Sequence, residues 1–259
     1  MKLNVVPART GLTWVRLGIR TFLRQPLALA GLFFMYMAAV LVVTQIPVVG
    51  VVLGGLLVPA ATLGLMAATA EAASGRFPMP AVLVSAFRAG RERLRSMLVL
   101  GVIYTVGSAL ATVLGHLLAG GAPPAAADVP QVDMETLVTL LLHTPLFMMF
   151  WHAPALVHWH GITPAKSLFF STVACWRNFG ALTVYSIGWL GVFLVFGTVL
   201  GLIGGLAGGP GLAKAVMMPT ALLLAAMFTS SVWFTFRDSF RADDDVPPAP
   251  SSRPDGEQP

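Results

Sequence analysis

The chain predicts an all-α fold, a polytopic membrane bundle of six transmembrane helices with amphipathic interfacial helices on the cytoplasmic side. Three observations predict it. Hydrophobic residues fill 56% of the 259 positions and charged residues only 10%, against roughly 45–50% and 25% in soluble domains. Several apolar runs reach about 20 residues, the length that crosses a hydrocarbon core of roughly 30 Å. With the N-terminus inside, alternation of the runs leaves only Lys214 of the 16 basic residues outside, and this Lys/Arg bias is what sets orientation.

The elements follow in order. Residues 10–25 place Arg16, Arg20 and Arg24 on one helical face and Leu12, Val15, Ile19, Phe22 and Leu23 on another, a pattern suited to a helix lying at the membrane interface. The first span runs from about 27 to 46, Pro47 permits a tight return, and the second covers about 48 to 70. Pro59 is expected to kink that second span. Pro80 through Arg95 reads as another surface helix, carrying Arg88, Arg91, Arg93 and Arg95. The third span is about 97–118, and the loop from Gly120 to Glu135 is acidic and rich in Ala and Pro.

The fourth span, about 136–158, ends at His160-Gly161. A surface helix follows, with Thr163 as expected cap and Pro164 at its first position. The fifth span is about 180–203, the GGLAGGPG stretch reads as a flexible linker, and the sixth is about 215–236. Residues 1–241 form one membrane domain. The tail 242–259 lacks apolar periodicity and is expected to be disordered in the cytoplasm. Met1 to Pro26 is not expected to be a signal peptide, since no cleavage site with a polar mature sequence follows the first apolar run. The junctions at Phe22–Pro26, Arg93–Met97 and Cys175–Phe179 read as three repeated hairpins, each preceded by an Arg-bearing surface segment.

Within the spans there is no Asp, Glu, Lys or Arg, which argues against a proton-driven antiporter or pump. GxSxG, HExxH and P-loop patterns are missing, so no enzymatic activity, metal or cofactor is expected. The histidines, His116, His143, His152, His158 and His160, lack the i, i+4 spacing of a helical metal site and read as structural. Ser108 and Ser186 are expected to bond back to their own helices. One cysteine, Cys175, excludes an internal disulfide. Gly50-x3-Gly54, Gly107-x3-Ala111 and Gly197-x3-Gly201-x3-Gly205 predict close helix packing inside the monomer. Trp14, Trp159, Trp176 and Trp233 are expected to be interfacial anchors.

The net charge of +5 reflects the positive-inside bias rather than a nucleic-acid partner. The expected partner is anionic lipid, met by Arg16, Arg20, Arg24, Arg88, Arg91, Arg93, Arg95 and Arg177. Non-enzymatic organisation of lipid or of a membrane complex is therefore the leading expectation. An uncoupled transporter or channel is the alternative, favoured by the prolines and the repeat.

Around Trp151, Ala153-Pro154-Ala155-Leu156-Val157, His160-Gly161, Pro164, Ala165, Ser167 and Arg177-Asn178, the sequence resembles an uncharacterised family of proteobacterial inner-membrane proteins. Phe236-Arg237-Asp238-Ser239-Phe240 is similar to that family's closing signature, and Trp14 with Arg24-Gln25-Pro26 to its opening helix. The likeness covers residues 5–241 and implies an inner-membrane location. His152 departs from it, standing where an aromatic is expected. More distantly, the arrangement is similar to the membrane domain fused to some glycerophosphodiester phosphodiesterases. Their catalytic domain has no counterpart in this chain, so the resemblance implies no activity.

Overall fold

The computed structural model describes residues 2–47, 49–119 and 133–241. The expectations for residues 120–132 and for the tail 242–259 fall outside them. Among the described residues six helical stretches are long and apolar enough to cross a membrane: Pro26–Thr44, Val49–Ala73, Arg91–Leu118, Met134–His160, Phe179–Leu206 and Ala215–Ser239. Five lie within three residues of an expected span and the third begins six residues earlier, at Arg91; the fold class is all-α.

The chain begins with a short strand β1 (Lys2–Leu3), then helix α1 (Thr10–Arg24). Gln25, at φ −139° and ψ 58°, breaks α1 from α2 (Pro26–Thr44), which opens on Pro26, the first-turn position where a missing N–H costs nothing. The return to α3 (Val49–Ala73) is tight: Gly50 N–H bonds Ile46 O at 2.8 Å, and a Cβ on Gly50 would collide with the Val43 carbonyl. Pro59 lies inside α3 as expected.

The expected surface helix over 80–95 does not form as one piece. A 3-10 turn, Pro80–Val84, leads into a single turn α4 (Ser85–Arg88). Gly90 at φ +99° then breaks the chain, a conformation open to glycine and strained for other residues. Arg91, Arg93 and Arg95 therefore belong to the first turns of α5 (Arg91–Leu118). Gly64 of α3 lets the 3-10 segment dock, since its absent Cβ would lie 2.8 Å from the Leu83 backbone.

Helix α6 (Met134–Phe150) starts at Asp133, whose carboxylate accepts the Thr136 N–H at 2.9 Å. The Thr136 side chain and backbone hold that carboxyl below its ordinary pKa. Gly107 faces Leu146, and a Cβ on Gly115 would overlap Thr139, so α5 and α6 cross closely as glycine permits. The fourth span is not one continuous helix: it stops at Phe150 and resumes as α7 (Ala153–His160). Pro154 stands in the first turn of α7 rather than at a mid-helix kink.

Gly161 at φ +64° ends α7, and Ile162 N–H reaches back to Leu156 O at 3.4 Å, the left-handed helix ending in which glycine carries no Cβ penalty. Helix α8 (Pro164–Arg177) then begins on Pro164. Thr163 occupies the cap position, but its side chain makes no capping bond; Ser167 Oγ bonds Pro164 O at 2.8 Å instead.

Helical structure is continuous through α9 (Phe179–Ser239), including the stretch expected as a flexible linker. A straight helix would put Tyr185 and Ser231 about 69 Å apart at 1.5 Å per residue, yet their hydroxyls are 2.6 Å apart. The two arms of α9 therefore lie side by side. Strand β2 (Phe240–Arg241) closes the fold by pairing antiparallel with β1, Leu3 opposite Phe240.

Helix α1 departs most from expectation. It is no isolated surface helix: Gly11 lies on Ala181 and Tyr185 of the first α9 arm, Gly18 on Ser231 of the second. Trp14, expected as an interfacial anchor, is fully buried at 0% exposure. Glycine at 11 and 18 flattens one face of α1, and Trp14 and Val15 between them fill the groove between the arms. Trp176, by contrast, is 73% exposed, as an anchor should be.

The stripe Gly197, Gly201, Gly205 also departs from expectation. A Cβ added at any of these glycines would meet nothing within 4 Å among the described residues beyond its own helical turn. They share their stretch with exposed Leu194, Val195, Leu202 and Ile203, so the stripe faces outward rather than into the bundle. The core instead gathers toward the end where β1 lies, with Trp14, Tyr185, Trp189 and Phe234 packing together beside Met66, Leu156, Phe236 and Phe240.

Candidate functional site

Most of the motif residues singled out in the sequence converge on the break in the fourth span. In an unbroken helix His152 N–H would bond Met148 O. Ser171 of α8 is inserted between them: its hydroxyl donates to Met148 O at 2.8 Å and accepts from His152 N–H at 3.0 Å. A side chain entering the backbone ladder, followed two residues on by Pro154, which has no N–H to give, accounts for the break. Cys175, one turn along α8, adds a long contact from its Sγ to the same Met148 carbonyl at 3.6 Å.

The other wall of the site is the last stretch of α9. Ser231, Thr235 and Ser239 recur every four residues, so they line one helical face, and all three are buried. Each ties down a different part of the chain. Ser231 Oγ donates to Phe228 O at 2.6 Å, which spends its proton. It therefore accepts from Tyr185 OH at 2.6 Å and from Trp189 Nε1 at 3.1 Å. Thr235 Oγ1 donates to Val232 O at 2.7 Å and accepts from Trp151 Nε1 at 3.0 Å. With the Thr235 proton committed, the 3.3 Å contact to His152 Nε2 requires the imidazole to carry its hydrogen there.

That tautomer leaves His152 Nδ1 as an acceptor, 3.9 Å from Cys175 Sγ. The pair has the residue types of a cysteine nucleophile and its base. Its surroundings are wrong for that chemistry, because burial pushes the Cys175 thiol up to about 12, whereas a reactive cysteine needs its thiolate near neutral pH. Phe236 and Phe240 pack around the imidazole, with ring centroids 6.1 and 5.5 Å away. His152, the residue that departs from the expected aromatic, occupies an aromatic pocket and adds a polar tie.

Ser239 belongs to a clasp around Asn178, the residue joining α8 to α9. Asn178 Oδ1 accepts Val6 N–H at 2.9 Å, and its Nδ2 donates to Asn4 O at 3.1 Å and approaches Ser239 Oγ at 3.4 Å. Asn4 in turn bonds the backbone of Asp238 and Ser239. Asp238 Oδ2 accepts Trp14 Nε1 at 2.9 Å while its Oδ1 takes Arg237 Nε at 2.8 Å. The Arg237 guanidinium lies over Trp233 and Phe234, about 5 Å from each ring, close enough for cation–π attraction.

Of the remaining motif residues, Ala153 and Pro154 are buried at the break, His160 stacks near Phe236 at 5.9 Å, and Gly161 and Pro164 shape the turn into α8. Ser171, Ser231 and Thr235 were not singled out from sequence. The period-four hydroxyls of α9 and the small stripe Ser167, Ser171, Ala174, Cys175 of α8 are the signals that could have found them.

The predicted lipid-contact residues are not drawn into this cluster. Arg16, Arg20, Arg24, Arg88, Arg91, Arg93, Arg95 and Arg177 are all exposed, and Arg16, Arg20 and Arg24 flank a shallow groove with Ile19 and Leu23.

At the far end of the bundle, α5 and α6 enclose an open groove of about 620 Å³. His143 lies in it, its Nε2 3.2 Å from Ser108 Oγ and its Nδ1 2.8 Å from Thr139 O. Ser108 thus reaches across to α6 rather than back along its own helix. His116 Nδ1 meets Glu135 Oε1 at 3.1 Å nearby.

No family model and no solved structure matches the chain. A probable inner membrane protein of Burkholderia thailandensis is 37% identical over 260 aligned positions, covering 93% of this chain and 94% of that protein. With six membrane-capable helices in the order its sequence requires, the chain belongs to that family of multi-pass inner-membrane proteins.

Proposed function

We propose that this protein organises anionic lipid, or a complex assembled on it, at the cytoplasmic face of the inner membrane, without catalysing a reaction. Both termini lie in the cytoplasm on this reading. The observation that carries it is the division of labour among polar side chains. Ser171, Asn178, Ser231 and Thr235, all buried, tie separate elements together, whereas the eight arginines named above all project outward from the segments that precede or begin spans. Each basic residue near an anionic surface contributes on the order of 1 kcal/mol, so eight together supply a large bias.

Native mass spectrometry of the protein extracted with its own lipids tests it. The expected result is a retained, stoichiometric anionic lipid that is lost when Arg88, Arg91, Arg93 and Arg95 are changed to Gln. Retention unaffected by those changes would refute it.

One observation favours a second reading, an uncoupled transporter or channel for a small solute: the part-polar groove that converges on His143 between α5 and α6. Solute flux in liposomes that falls on His143→Ala would select this reading, flux indifferent to that change would remove His143 from the mechanism, and no flux would remove the reading.

A further inference from the structure

Two lateral grooves of the bundle share one construction. The first, about 350 Å³, is lined by Phe147 and Trp151 of the fourth span, Cys175 of α8, and Phe179, Leu182 and Ile187 of α9. The second, about 280 Å³, is lined by Met35 and Val40 of α2, Leu57 of α3, and Leu83, Val84 and Phe87 of the 80–88 segment. Each has a floor made by two spans and an end wall made by the segment that joins successive hairpins. In each, a lining residue stands beside an exposed arginine: Phe87 directly precedes Arg88, and Cys175 and Phe179 bracket Arg177. Exposed Trp176, whose ring lies 6.5 Å from that of Phe179, adds an aromatic rim to the first.

The polar atoms in the first groove are largely spoken for. Thr144 and Thr183 hydroxyls bond their own helices, Tyr185 bonds Ser231, and the Cys175 thiol points at Met148 O. A polar solute would find little to replace its water there, whereas an alkyl chain needs nothing but contact. From Phe179 to Ile187 the trough runs about 12 Å along the helix axis at 1.5 Å per residue, most of one leaflet of a hydrocarbon core roughly 30 Å thick.

We infer that these two grooves are acyl-chain seats for anionic phospholipid of the leaflet next to the Arg-bearing segments, with the headgroup phosphate on Arg177 at one and on Arg88 at the other. The inference rests on the lipid-organising reading and adds a place and a stoichiometry to it: two lipids per chain. The occupant follows from the setting, since each groove is lined by membrane spans and has a lining residue beside an exposed arginine, matching a molecule with an apolar chain and an anionic head.

The test uses the full chain in bilayers containing phosphatidylglycerol with a photoreactive group in its acyl chain, and in parallel phosphatidylcholine with the same chain. Adducts are mapped by peptide mass spectrometry. The expected adducts with phosphatidylglycerol fall on the two groove linings. Ser186→Phe, which plugs the first groove from an exposed position, lowers labelling there at least several-fold and leaves the second unchanged; Ala39→Phe does the converse. Labelling spread evenly over lipid-facing residues such as Leu41, Leu110 and Leu202 would overturn the groove assignment. If native mass spectrometry still finds arginine-dependent lipid in that case, the broader reading survives. Equal groove labelling by phosphatidylcholine would overturn the headgroup assignment, and with arginine-independent retention both inferences fall.

Discussion

Replacing Thr235 by Val keeps the shape of the side chain and removes one hydroxyl, which makes it a direct probe of the helix break. Two donors lose their acceptor, Trp151 Nε1–H and His152 Nε2–H, at 3.0 and 3.3 Å. In a soluble core, each orphaned buried donor would cost about 1–3 kcal/mol. Inside a membrane the figure is smaller, because the unfolded chain in lipid also finds partners; interhelical bonds there average about 0.6 kcal/mol and reach about 1.7. Two such bonds give an expected destabilisation between about 1.2 and 3.4 kcal/mol. His152 is 1% exposed, which places the value above the lower bound. The assay is reversible unfolding in mixed micelles with tryptophan fluorescence as readout. A double-mutant cycle with Trp151→Phe should return a coupling near 0.6 kcal/mol. Thr235→Ser, which keeps the hydroxyl, should lie nearer the wild type than Thr235→Val does. A Val variant indistinguishable from wild type, or a Ser variant equally damaged, would refute the hydrogen-bond account.

Three further outcomes are expected. Gly18→Ala should destabilise by about 1–2 kcal/mol: overpacking costs roughly 1–3 kcal/mol, offset by up to about 1 kcal/mol of helix propensity. A Cβ there would overlap Ser231 Cβ and come within 2.8 Å of its backbone Cα; unchanged unfolding would show that α1 is not held against α9. Burial raises the Cys175 pKa from 9.0 to about 12, so the stability tied to the neutral thiol is fully present below pH 9 and is lost as pH climbs toward 12. Wild type should therefore weaken relative to Cys175→Ala across that window, and a difference flat to pH 12 would contradict the burial. Gly161→Ala should cost about 1–2 kcal/mol, since Gly161 sits at φ +64° where a Cβ meets the following carbonyl; an unchanged melting temperature would mean that the α7–α8 turn adopts another conformation.

The spans could be read from the sequence because hydrocarbon imposes one rule on every residue within it. Backbone polar groups must be satisfied inside the segment, so spans are helices, and helices that cross need about 20 apolar residues. Pro26, Pro164 and Gly161 marked helix ends for equally local reasons. Signals that name no partner were less informative. Gly11 and Gly18 offered a flat face to α1 but did not say that α9 would fill it. Gly197, Gly201 and Gly205 made the same offer, and nothing among the described residues takes it up. The Arg ladder of α1 pointed to the interface while its opposite face carried the buried Trp14, so a pattern that reads as a membrane surface also fills a protein groove.

The sequence by itself determined the helical class, the number and approximate limits of the spans, and the segregation of basic residues, because each depends on local composition and length. Tertiary structure alone decided that Ser171 enters the ladder at His152, that Ser231, Thr235 and Ser239 each hold a different element, and that the first helix lies between the two arms of the last. Ser231 and Thr235 still donate to their own preceding turn, as such hydroxyls ordinarily do; packing alone brings Tyr185, Trp189 and Trp151 to their lone pairs and gives the Ser171 proton the Met148 carbonyl instead. The motif around Trp151, Asn178 and Asp238 is legible as a motif from sequence. Its meaning, bonds that reach 84 positions from Trp151 and more than 170 from Asn178 and Asp238, comes from long-range packing that no local pattern encodes.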